Sequence, residues 1–131
     1  KISEFPCSLE AARYAKTKGM TTIGGAPNII RGGSHSGNVS IIELAEEGIL
    51  DAMSSDYVPG SLLQASFALS RLLDRPLHQT LKTVTSSSAA MVGLHDRGVI
   101  APGKRADIVR VRQVQETPIV REVYAVGRRV I

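Results

Sequence analysis

The sequence predicts an α/β chain, with a parallel sheet and its helices to about residue 95 and a small β segment over 96–131. Three observations carry this. Two short apolar runs, 20–25 and 49–55, each follow a helix signal and lead towards another, the alternation typical of parallel sheets. After Gly93 the helical periodicity stops, and Gly98, Pro102 and Gly103 break up strand-like runs. The length, 131 residues with 43% hydrophobic and 21% charged, suits one modest globular domain.

The elements follow in order. Residues 2–6 read as the end of a strand cut at Lys1, and a chain opening on Lys rather than Met is expected to be a piece of something longer. Ser8 caps a helix to about Lys18, which Gly19 stops. Residues 20–25 form a buried strand ending in Gly24 and Gly25, where something must approach closely. Residues 26–38, with Pro27, Gly32, Gly33 and Gly37, are expected to be a long polar loop. Ser40 and Glu43 make a capping box, opening a helix that Gly48 ends. Residues 49–55 are the second buried strand, closed by Asp56 to Pro59. Leu62, Leu63, Phe67 and 69–73 give the next helix. Asp74 as N-cap and Pro76 in the first turn start another, to about Val84. Strands are expected at 106–112, 118–126 and 128–131.

Composition excludes a disordered tail, a collagen-like repeat and a coiled coil. No stretch approaches the roughly 20 apolar residues of a membrane span. The one cysteine, Cys7, has no internal partner and no neighbouring base in sequence, which points to a reducing, cytoplasmic setting and an unreactive thiol. The net charge of +4 is uneven, because 97–131 carry eight basic and three acidic residues. Those charges alternate with Ile and Val, as on the wet face of a strand, and only 4% of residues are aromatic. Nucleic-acid binding is therefore disfavoured.

Ligands of parallel α/β sheets sit beyond the carboxyl ends of the strands, and both exits here carry unusual polar groups. The first leads into Asn28, Arg31, Ser34, His35 and Ser36; the second delivers Asp56. A carboxylate at that place suits a metal ligand or a proton acceptor, and equally a helix N-cap; the two use different lone pairs and are compatible. Around His35, glycines free backbone N–H groups to face an anion, Arg31 offers a bidentate guanidinium, and Ser34 adds a hydroxyl. His35 adds a further donor or a metal-binding nitrogen, although such loops are commonly only loops. Glu4 is a weaker candidate for the same site, with solvated surface as its ordinary role. His78 and His95 look structural, and Lys104 with Arg105 looks set to hold a turn and solvate a strand edge.

Gly98, Ile100, Pro102, Gly103, Lys104, Ala106 and Asp107 resemble the C-terminal signature of the amidohydrolase superfamily. Ser3 to Pro6, Gly25 to Asn28, Arg31 to Asn38 and Ser54 to Pro59 resemble, more narrowly, its branch in phosphonate breakdown by the carbon–phosphorus lyase pathway. The chain departs from that branch at Ser87 and Ser88, where an Asn-Pro pair usually precedes the last helix. The resemblance implies the C-terminal portion of a (β/α)₈ barrel over 1–95, then part of a β-sandwich over 96–131. It implies a hydrolase dependent on a divalent metal, zinc, which cleaves α-D-ribose 1-methylphosphonate 5-triphosphate to the 5-phosphate and diphosphate. Asp56 would be the metal ligand that manages the proton of the attacking water; Asn28, Arg31, Ser34 and His35 would hold phosphate oxygens.

A complete barrel takes roughly 250 residues, and a catalytic metal about three protein ligands. The chain alone is therefore expected to be inactive, and to pair with a missing N-terminal part or with copies of itself. Ile23, Ile49, Leu50, Leu62, Leu63 and Phe67 are the side chains expected to lack partners. Two other classes remain open: an amidohydrolase acting on a cyclic amide or an amine, as in dihydroorotases and deaminases, and a non-enzymatic anion-binding module.

Overall fold

The structure, a computed structural model, describes residues 1–32 and 37–131. Among these, the strands form two sheets. The first is parallel, in the order β1 (Ile2–Glu4), β2 (Thr21–Gly25), β3 (Ala52–Ser54). The second is antiparallel, built from β4 (Ile108–Val114), β5 (Thr117–Ala125) and β6 (Arg128–Arg129). The expected change from parallel α/β to small β is thus present.

Local chemistry explains the first helices. Ser8 is extended and its hydroxyl accepts from Ala11 N at 3.1 Å, opening α1 (Leu9–Thr17). The capping box is complete at α3 (Ile41–Glu46): Ser40 Oγ accepts from Glu43 N at 3.1 Å, and Glu43 Oε2 accepts from Ser40 N at 2.8 Å. That backbone N–H, and then the hydroxyl, hold the Glu43 carboxyl below its usual range. Asp51 joins the layers, since its carboxylate accepts from both Thr22 N and Lys16 Nζ at 2.8 Å.

Alternation sorts the sheet residues onto two faces. Met53 and Gly24 face the helices: Met53 packs with Ala26, Ile29, Ile41, Ala45 and Leu69, and a Cβ on Gly24 would meet Ile41 Cγ1 at 2.8 Å. Ile23, Ala52, Gly25 and Ser54 face the other way. Leu44 and Leu69 are almost wholly buried, contributing about 1.5–3 kcal/mol each.

Several expectations need correction. Residues 27–31 are not loop but a short helix, α2 (Pro27–Arg31), because Pro27 is preset for a first turn and Ala26 N is fixed to Ser54 O at 2.8 Å. Asp74 caps nothing; at φ +47° it follows the end of α4 (Ser61–Leu72), and α5 (Leu77–Leu81) starts after Pro76 without a side-chain cap. The helix expected to reach Val84 gives way at Lys82–Val84 to a tighter 3₁₀ turn. Ser87 and Ser88 lie inside a sixth helix, α6 (Ser86–Met91), rather than before it.

The list of unpartnered side chains is also corrected. Ile23, Ile49 and Phe67 are buried and Leu50, Leu62 and Leu63 half-buried; Ile49, Leu50 and Leu62 pack into the clusters formed with the chain's own helices. Exposed apolar groups instead include Ile2, Phe5, Ile100, Val109, Val120 and the C-terminal Val130 and Ile131.

The signature run is held as a unit. Asp107 Oδ1 accepts from Val126 N at 2.9 Å, the main cause of its lowered pKa, and Oδ2 meets Arg105 Nε at 2.8 Å. Lys104 Nζ donates to His95 O at 2.6 Å, so the pair at 104–105 sets its turn as expected. Gly98 has φ +90°, and a Cβ there would sit 2.8 Å from Ser86 Cα, so both conformation and packing require glycine.

Candidate functional site at the strand exits

The carboxyl ends of β2 and β3 open into a cleft of about 460 Å³, whose lining includes Gly25, Asn28, Arg31, Asn38, Asp56 and Tyr57. Phe5 also lines it, carried past the end of β1 by a turn at φ +51° after its N–H bonds Ile23 O at 2.9 Å. The opposite wall is tied down where Val39 N donates to Cys7 O at 3.1 Å.

Asp56 sits in a turn closed by Val58 N donating to Ser55 O at 3.0 Å, and its own N–H donates to Ser54 Oγ at 3.2 Å. Its φ of +50° lies in the left-handed region, which Asp tolerates better than most residues. This decides between its two readings as far as the cap is concerned. The following helix begins only at Ser61, with Gly60 at its N-cap and no side-chain cap bond, so Asp56 does not cap it. Among the described residues the Asp56 carboxylate accepts no hydrogen bond. It leans over Gly25 instead: a Cβ there would lie 3.4 Å from Asp56 Oδ2 and 3.2 Å from Phe5 Cε1. Glycine keeps that space open at the strand end.

Arg31 ends α2, exposed, with its guanidinium 5.3 Å from the centre of the Tyr57 ring. Among the described residues it forms no ion pair, so its charge faces the cleft without a carboxylate partner. Asn28, one turn earlier on α2, is half-buried and also reaches the cleft. The structure therefore brings Asn28, Arg31 and Asp56 together. Ser34 and His35 lie outside the described residues. Glu4 is exposed in register with Ile23 and does not line the cleft, although its neighbour Phe5 does. Reasoning from sequence left out Asn38, Tyr57 and Phe5 as site residues. All three lie within the segments that carried the narrow resemblance, which was the available signal.

Among the described residues, Asp56 is the one acidic side chain that lines the cleft and could serve a metal. The Asp56 carboxylate is a hard oxygen donor, exposed and unengaged, but among the described residues no three His, Cys, Asp or Glu side chains converge. These residues do not by themselves make a catalytic cation site.

Comparison with known proteins shows the family. The chain is 47% identical to the alpha-D-ribose 1-methylphosphonate 5-triphosphate diphosphatase of Escherichia coli K12, over 98% of this chain and 35% of that protein. It is 40% identical to an adenine deaminase of Deinococcus radiodurans, over 61% of this chain and 12% of that protein. The chain thus spans about a third or less of the length of these curated relatives. The crystal structure of an amidohydrolase from Thermotoga maritima MSB8 superposes with a TM-score of 0.75 at 23% identity, over 99% of this chain and 36% of that one, which shows a shared fold. With the pattern of the Amidohydrolase family matching residues 20–131, the chain belongs to that family.

Proposed function

We propose that the chain is the C-terminal part of a metal-dependent hydrolase that releases diphosphate from a phosphorylated small molecule, of the kind α-D-ribose 1-methylphosphonate 5-triphosphate. One observation carries the reading: Arg31 and Asp56, from successive strand exits, share one cleft, pairing an anion-binding group with a carboxylate. The 47% identity to the diphosphatase supports it over the shorter likeness to the deaminase.

In this reading residues 1–95 complete the last strands of a (β/α)₈ barrel and 96–131 join a β-sandwich. A divalent cation, zinc, would be held in part by Asp56 and would supply Lewis-acid activation of water when bound. Arg31 orients the phosphate chain, and its fork stabilises negative charge growing on the leaving diphosphate. Asn28 adds an amide to phosphate oxygens, and Ser34 and His35 are proposed to add further donors. Asp56 holds the proton released by the attacking water. A cytoplasmic location is part of this reading, supported by the phosphorylated substrate and the free thiol of Cys7.

Phosphorus NMR of the full-length enzyme tests the activity. The triphosphate should yield diphosphate and the 5-phosphate, and adenine should yield no ammonia. Ammonia without diphosphate would contradict the proposal and select the deaminase class.

We further propose that this chain works joined to the rest of its barrel or as a homo-oligomer. In the parallel sheet β1 and β3 each pair on one side only, and Ile2 is exposed at that edge. Light scattering of the 131-residue chain alone should show association. A monodisperse 14.0 kDa species with cooperative unfolding would contradict this.

A further inference from the structure

We infer that Tyr57 is the positioning residue of the anion site, holding the Arg31 guanidinium over its ring without neutralising its charge, so that the charge stays available to phosphate oxygens. The inference rests on the phosphate reading of Arg31 and adds what aims it.

The two residues come from different strand exits. Arg31 lies in the last turn of α2, just before Gly32 at φ +79°, and Tyr57 lies in the turn after β3 that also carries Asp56. A five-residue helix gives an exposed arginine little restraint of its own, and side chains of this length keep many rotamers in water. Contact with the Tyr57 ring, 5.3 Å from guanidinium carbon to ring centre, removes part of that freedom before any ligand arrives.

The geometry of the contact matters more than its strength. A guanidinium has five N–H donors in its plane and none on its faces. A carboxylate partner would occupy the donor fork and cancel the charge; an aromatic ring leaves the charge uncancelled. The ring is 57% exposed and lines the cleft, so it supports Arg31 from within the site rather than from a packed core. Because Tyr57 directly follows Asp56, one turn, closed by the backbone bond from Val58 to Ser55, carries both the carboxylate and the ring against which the guanidinium lies. The hydroxyl has no part in this argument.

The test is calorimetric binding of inorganic tripolyphosphate to the full-length enzyme, in a cycle of Arg31→Ala, Tyr57→Leu and the double variant, with Tyr57→Phe as the conservative control. Tyr57→Leu should weaken binding about two- to fivefold, the span expected of an exposed cation–π contact. Tyr57→Phe should bind like the wild type. In the Arg31→Ala background, Tyr57→Leu should have no further effect. An equal loss from Tyr57→Leu in both backgrounds, or a loss in Tyr57→Phe as large as in Tyr57→Leu, overturns the positioning role while leaving Arg31 in place. If Arg31→Ala binds tripolyphosphate as well as the wild type, the phosphate reading itself fails and this inference with it.

Discussion

Asp56→Asn in the full-length enzyme is expected to lower kcat by at least about 10³ while leaving the fold intact. The structure separates those two effects. Asp56 caps no helix, and its side chain forms no hydrogen bond among the described residues, so nothing local depends on its charge. Its backbone φ of +50° is one that asparagine adopts as readily, and the turn is closed by the backbone bond from Val58 to Ser55. In the proposed mechanism the substitution removes a charged ligand and a proton acceptor while keeping shape. Turnover near that of the wild type, with an unchanged melting curve, would reduce Asp56 to a turn residue.

Arg31→Ala carries the second large effect. The triphosphate substrate should bind more weakly by about 2–4 kcal/mol, and a neutral analogue should be barely affected. The magnitude follows from an unneutralised guanidinium facing the cleft with its fork unspent. Removing it also ends the contact with Tyr57, which is weaker and concerns the free enzyme as much as the complex. Steady-state KM values for both ligands decide the matter. Equal losses would mean that Arg31 maintains the structure around α2 and does not read charge.

What the sequence revealed divides by the range of the interactions involved. Ser8 and the pair Ser40 and Glu43 announce their helices because a cap is satisfied within three residues. The Gly98 to Asp107 run was equally legible, since its bonds are mostly made near at hand. The short helix α2 was not. Its composition of Pro, Asn and nearby glycines reads as loop, and its start depends on Ala26 N reaching Ser54 across the sheet. Asp74 misleads for a related reason: it is as good at ending a helix in the left-handed conformation as at capping the next, and the nearby Pro76 takes the cap position.

The site was legible in its chemistry and not in its assembly. Arg31 and Asp56 stand out as polar groups after apolar strands, but the register of β2 on β3, which sets Gly25 beside Ser54, is what makes them neighbours. Tyr57 was passed over because its partner is distant in sequence.

The central claim is that the cleft at the ends of β2 and β3 holds the phosphate chain. A crystal structure of the full-length enzyme with diphosphate tests it most directly. The account predicts diphosphate oxygens within hydrogen-bond distance of the Arg31 guanidinium, in the space bounded by Gly25, Asp56 and Tyr57. Diphosphate seated instead in a separate groove between α2, α4 and the start of β5, lined by Ile30, Arg71, Glu116 and Thr117, would contradict it.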